Sequence, residues 1–349
     1  MRNRHIMNRL LPAGLFVFLL GAFPLLSIAQ NSSTGKGKPM LLVANQKDRD
    51  LSVLNPDSGE QIALIQENAI TGHEVAASPD GRTAFVPIYG NSGVGKPGTD
   101  GDQMLVIDLS TGKITHHVNF GHGVRPHCPI YDKKRNVLYV TTELDKSVTI
   151  IDPKTLKIVG SIPTGQEESH MLAISHNGRF GYTANVGPGT VSVLDLAAHK
   201  TVAVIPISHT TQRISISADD STVFTADQTK PQLAMIDTAT NKVKGWIKLP
   251  GHGYGTASTL DGRYLLVAVP PVNEVAVVDL SSHQVVHELK VPSAPQEILM
   301  NPNGKVAYVS CNTSGKVAVI DLADWKVQSL FNAGKGADGL AWAATEKSR

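Results

Sequence analysis

Cysteine is nearly missing from this 349-residue chain, which has two, Cys128 and Cys311. That is too few for a disulfide framework, so both read as free thiols. No CxxCH occurs, which excludes covalent haem, and no haem of any kind is expected. Charge is thin and balanced, with 32 Lys and Arg against 30 Asp and Glu, so there is no basic surface for nucleic acid. A Walker loop, a dinucleotide fingerprint, an HExxH helix and a nucleophile elbow are all absent, and no nucleotide cofactor is expected.

Long apolar runs are also missing, with one exception at the N-terminus. Arg2, Arg4 and Arg9 precede an apolar stretch from Leu10 to Leu26, and Ser27-Ile28-Ala29 supplies small residues for cleavage before Gln30. Residues 1–29 therefore read as a secretory signal peptide and 30–38 as a flexible lead-in, followed by a folded body over 39–345. Pro12 and Pro24 interrupt the run and disfavour an uncleaved anchor. The expectation is a periplasmic or secreted monomer with no membrane span after cleavage. Its mature charge is about −1, because three of the 32 basic residues leave and no acidic ones do.

What fills the chain instead is repetition. An apolar strand closed by an acidic or amide residue recurs seven times, as LSVLN, MLVID, VTIID, VSVLD, LAMID, VAVVD and VAVID. Its closing residues Asn55, Asp108, Asp152, Asp195, Asp237, Asp279 and Asp321 are 53, 44, 43, 42, 42 and 42 residues apart. A period near 42 with strand patterning and no helical pattern predicts an all-β, seven-bladed β-propeller with four strands per blade. The closing acids are expected to cap their own turns and not to bind metal. The first repeat lacks an innermost strand, whereas Gly339 to Ala343 is an innermost strand with nothing after it. Closure of the first blade by the C-terminal strand removes both open edges.

Turns such as SPDG at 78–81, strands such as LYVTT at 138–142 and VSVLD at 191–195, and the Lys-Ile-Val type of outer strand give a cycle that resembles the YVTN β-propeller repeat family over the whole mature chain. The resemblance implies the propeller fold and an exported protein, and it admits lactonase-like activity. It fixes no activity, because one fold hosts many. The three tryptophans are too few for the repeated Trp docking motif of quinoprotein propellers, so no quinone is expected.

Aligning the repeats exposes one position, five residues before each turn, occupied by His73, His127, His170, Gln212, Tyr254, Gln296 and Asp338. Seven polar side chains in a Val, Ile, Ala and Gly framework point to a ring at the channel mouth. His73, His127, His170 and Asp338 fall on successive blades and suit a divalent transition metal, zinc, manganese, iron or copper. Gln212, Arg213, Tyr254, Gln296, Glu297, Arg125, His122 and His252 are candidate ligand-binding residues, with Glu74, Glu168 and His209 beside them. His116, His117, His199, His283 and His287 map to outer strands and turns. One insertion, residues 91–102, sits next to His73 and reads as a loop over the mouth, with Asp100-Gly101-Asp102 as a weaker calcium candidate.

Three functions fit this pattern. The first is an exported protein that binds a metal ion, a small polar ligand or a protein partner at the mouth. The second is a metal-assisted lactonase, esterase or lyase. The third is a structural module of the cell envelope.

Overall fold

The computed structural model describes residues 38–91 and 93–344. The expected signal peptide, 1–29, and nearly all of the expected lead-in, 30–38, lie outside the described residues. Twenty-eight strands form seven four-stranded antiparallel sheets, with one short 3-10 turn, Pro270–Val272, between strands of the sixth blade. Each innermost strand packs beside the innermost strand of the next blade, and that of the seventh packs against that of the first. The predicted seven-bladed propeller is the fold observed.

Closure follows the sequence expectation. Ala337–Ala343 pairs antiparallel with Met40–Asn45, in register Leu41 with Trp342 and Leu42 with Ala341, and becomes the innermost strand of the first blade. Gly339 is required here. Its amide donates to the carbonyl of His73 at 2.9 Å, and a Cβ at this position would fall 2.5 Å from Glu74 Cα.

Blades pack through one large side chain on each second strand. Leu42, Phe85, Tyr139, Tyr182, Phe224, Leu266 and Tyr308 occupy equivalent registers and are essentially fully buried. Outermost strands such as Lys200–Pro206 alternate exposed and covered residues, as a half-solvated strand should. The closing acids cap their turns: Asp108 Oδ1 accepts the Ser110 amide at 2.7 Å, Asp279 that of Ser281 at 2.8 Å, and Asp321 that of Ala323 at 2.8 Å. The Ser110 and Ser281 hydroxyls, then these amides, hold the Asp108 and Asp279 carboxyls below the usual range, and backbone amides do the same for Asp321. Cys128 and Cys311 are buried free thiols.

Candidate functional site

The sheets converge on a channel, and on one face its mouth forms a cavity of roughly 550 Å³. All seven residues of the aligned position line it: His73, His127, His170, Gln212, Tyr254, Gln296 and Asp338. Each sits on, or just before, the innermost strand of its blade, so the fold itself brings them together.

The imidazoles form one wall. His127 and His170 stack with ring centroids 3.7 Å apart, and His73 meets His127 edge-on at 5.4 Å. Tyr89 lies among them, 4.8 Å from His73, 5.2 Å from His127 and 5.9 Å from His170. Behind the wall, Glu143 accepts hydrogen bonds from Tyr89 OH at 2.8 Å and from His170 Nδ1. A carboxylate on Nδ1 fixes the orientation of the His170 ring. Gln46 Nε2 donates to His73 Nε2 at 2.9 Å, which leaves His73 protonated on Nδ1. Burial, reinforced by His170 and Arg213, drives the His73 pKa down to about 3, and burial likewise holds His127 far below its usual value. Neither ring carries charge at neutral pH.

The opposite wall is built on Arg213. Its Nη1 contacts Glu74 Oε1 at 2.6 Å, its Nη2 contacts Asp338 Oδ1 at 2.8 Å, and its guanidinium lies 4.8 Å over the Tyr254 ring. Glu297 completes the cluster and accepts the Leu340 amide at 2.7 Å. Three carboxyls share one guanidinium out of water, so burial outweighs the attraction of Arg213. Glu74 is pushed up to about 8 and Asp338 to about 7. Gln212 Nε2 donates to Tyr254 OH at 3.0 Å.

The insertion closes one side of the mouth. Arg125 binds Asp100 at 2.6 Å and the Lys96 carbonyl at 2.7 Å, and the loop contributes Asn91, Gly93, Val94 and Lys96 to the cavity. The calcium reading fails here. Asp100 and Asp102 belong to the strand Asp100–Asp108, and Asp100 is engaged by Arg125. His122 is exposed and pairs with Asp145 at 2.8 Å, and His252 and His209 are exposed; none of these three lines the cavity.

The transition-metal expectation is also corrected. His127 and His170 meet face to face instead of pointing nitrogens at a common centre, and Asp338 is held by Arg213. Among the described residues, no group of three His, Cys, Asp or Glu side chains is arranged to hold an ion.

Sequence alignment on the turns missed Gln46, Tyr89, Glu143 and Asn312. The signal for them was present in the second strands. Four residues after the large buried side chain of each blade come Gln46, Tyr89, Glu143, Val186, Gln228, Pro270 and Asn312. Four of these line the cavity, Gln46, Tyr89, Val186 and Asn312, and Glu143 stands behind it.

Residues 131–251 match the Cytochrome D1 heme domain, a stretch from the end of the third blade's innermost strand through the fifth blade that includes His170, Gln212 and Arg213. A 91-residue segment is 31% identical to NHL repeat-containing protein 2 of Bos taurus, covering 22% of this chain and only 12% of that protein. Among solved structures, Kuenenia stuttgartiensis hydrazine synthase superposes with a TM-score of 0.67 at 19% identity, over 78% of this chain and 90% of that one. Dihydro-heme d1 dehydrogenase NirN in complex with DHE superposes with a TM-score of 0.62 at 16% identity, over 86% and 74%. The expectation that no haem is involved is overturned by the match to a haem domain, because lack of CxxCH excludes only covalent attachment. With its closed ring of seven four-stranded sheets, the chain is a seven-bladed β-propeller, similar over its third to fifth blades to the Cytochrome D1 heme domain.

Proposed function

We propose that this chain is an exported propeller of the YVTN type that binds a small planar ligand, a haem-type tetrapyrrole, at the channel mouth. The observation that carries the reading is His127. It lines the cavity and is only 2% exposed, yet its Nδ1 has no hydrogen-bond partner. Leaving a buried polar atom unmatched costs about 1–3 kcal/mol, a cost that a bound ligand can remove. The haem-domain match over blades three to five supports the same ligand class.

The residues present fit such a group. A tetrapyrrole iron would take a nitrogen ligand, which a neutral imidazole such as His127 could supply. His127 offers an unpartnered nitrogen, and Glu143 orients the His170 ring. Tyr254 lines the cavity with the Arg213 guanidinium over its ring, and Gln212 and Gln296 line it with amide groups. The metal-assisted hydrolase alternative loses the metal centre that it invoked.

The test is titration of the purified protein with haemin, followed through the Soret band. A saturable shift is expected, and His127→Ala and His170→Ala should weaken binding at least tenfold, while His283→Ala, on an outer turn, should not. If no shift appears, the tetrapyrrole reading is wrong and the mouth serves another polar ligand, with Gln212, Arg213, Tyr254, Gln296 and Glu297 the next to substitute. Export and the 1–29 signal peptide are tested by N-terminal sequencing of the mature protein, where retention of residue 1 would overturn them.

A further inference from the structure

We propose that Glu67 is a proton-operated latch: it holds the entry to the second blade, residues 68–75, closed in mildly acidic solution and lets it loosen as the solution becomes neutral. The proposal is independent of what binds at the mouth.

Glu67 stands where no other blade has a carboxyl. In every blade the residue after the outermost strand donates its amide to the carbonyl just before the third strand, as Glu67 does to Arg49 at 3.0 Å and Leu249 to Pro231 at 2.9 Å. At that position the other blades carry Phe120, Thr164, Ile207, Leu249, Val291 and Ala333, five apolar residues and a threonine. Glu67 brings an ionisable group there and is only 1% exposed.

Its carboxyl clasps the chain that follows. Oε2 accepts the Gly72 amide at 2.8 Å, while Oε1 has no hydrogen-bond partner among the described residues. Gly72 fits because it lacks a side chain: a Cβ would fall 2.5 Å from Val86 Cγ1 and 2.8 Å from Glu67 Oε1. The clasp matters because the ladder beside it is short. The innermost strand of the second blade is Ala76–Ala77 alone, against six or seven residues in five of the other blades. Residues 68–75 are held by separate contacts instead: the clasp, the Thr71 hydroxyl on the Gln46 carbonyl at 2.6 Å, an isolated bridge between Gly72 and Ile88, and the Gly339 amide on the His73 carbonyl at 2.9 Å. A segment tied this sparsely opens locally before the sheets around it do.

Ionised, Glu67 would put charge on an oxygen that no donor meets. Burial therefore pushes the carboxyl from an ordinary 4.5 up to about 7, against the pull of the Gly72 amide. The charged groups that bear on it belong to the first blade. Asp50 repels, with its own oxygens tied to Asn45 at 2.8 Å and Gln66 at 3.2 Å, and the exposed Arg49 attracts more weakly. From the second blade, Val86 and the Pro87 carbonyl approach Gly72, and neither titrates. The closed segment thus holds its proton more tightly than the open one. The latch is at full strength below about pH 4.5 and weakens as pH rises through 7. Glu74, at the far end of the segment, is raised as well, and Glu67→Gln separates the two because it leaves Glu74 in place.

Hydrogen exchange read by mass spectrometry over residues 68–75 tests this at pH 5 and pH 7.5, corrected for intrinsic rates and referenced to the buried strand Ser147–Asp152. Wild type is expected to lose at least about tenfold in protection between the two pH values, the scale of one unit of pKa shift. Glu67→Gln keeps an acceptor for Gly72 and cannot titrate, so its protection should be the same at both. Glu67→Leu, which copies the fifth blade, removes the acceptor too and should be poorly protected at both; it carries the pH comparison should Glu67→Gln fail to fold. A wild type without pH dependence, a dependence that survives either substitution, or a Glu67→Leu protein as protected as wild type at pH 5 overturns the proposal.

Discussion

Arg213 of the fifth blade and Asp338 of the strand that closes the first blade meet across the channel at 2.8 Å. They lie 125 positions apart in sequence, and their contact ties the end of the chain to a blade on the other side of the ring. Glu74, on the same guanidinium, adds the second blade.

Arg213→Leu leaves Glu74 and Asp338 buried without their cation. The expected loss is about 3 kcal/mol at pH 8, the scale of breaking one side of a buried ion pair. The loss should shrink at pH 5, where both carboxyls can take up protons. Urea denaturation at the two pH values checks this, and an equal loss at both would contradict the electrostatic account.

The same cluster sets a pH dependence of stability. Glu74 is raised from an ordinary 4.5 to about 8, so the folded protein binds more protons than the unfolded chain in that window. Stability from this group is full below about pH 4.5 and falls as pH rises toward 8. His73, lowered from 6.5 to about 3, acts in the opposite sense: its contribution is full above pH 6.5 and falls as pH drops toward 3. The urea midpoint is therefore expected to peak in mildly acidic solution and to fall on either side. Glu74→Gln should flatten the alkaline side only.

Tyr89→Phe removes one of two hydrogen bonds to Glu143 and leaves the ring stack in place. A loss of about 1–2 kcal/mol is expected, with the fold unchanged by circular dichroism. Haemin titration of this variant should show a changed spectrum if Glu143 tunes His170, since the carboxylate then answers to the imidazole alone.

Removal of residues 336–349 strips the innermost strand from the first blade and exposes the edge Met40–Asn45. Light scattering should report aggregation and not a mildly weakened monomer. Gly339→Val tests the same closure more gently. Its side chain would press on the Glu74 backbone, at an expected cost of about 1–3 kcal/mol.

The fold was legible because a propeller writes its period into the sequence. Seven closing residues, one turn per repeat and the orphan strand at Gly339 were enough to count blades and close the ring. The mouth was legible in part, since alignment on the turns found the inner ring, His73 to Asp338. It could not reveal that His127 and His170 stack, because side-chain direction is set by packing that residue type does not encode. It also gave Asp338 the wrong role, since its partner Arg213 belongs to a blade remote in sequence. Glu143 escaped because none of its equivalents, Gln46, Tyr89, Val186, Gln228, Pro270 and Asn312, is another carboxylate.

The join between Leu41 and Trp342 also has a kinetic meaning. Loop closure over some 300 residues of chain must occur before the first blade has its fourth strand, and such distant pairings form slowly. Until Ala337–Ala343 is available, Met40–Asn45 waits as an unsatisfied edge, so the ring can reach its final state only as the last event of folding.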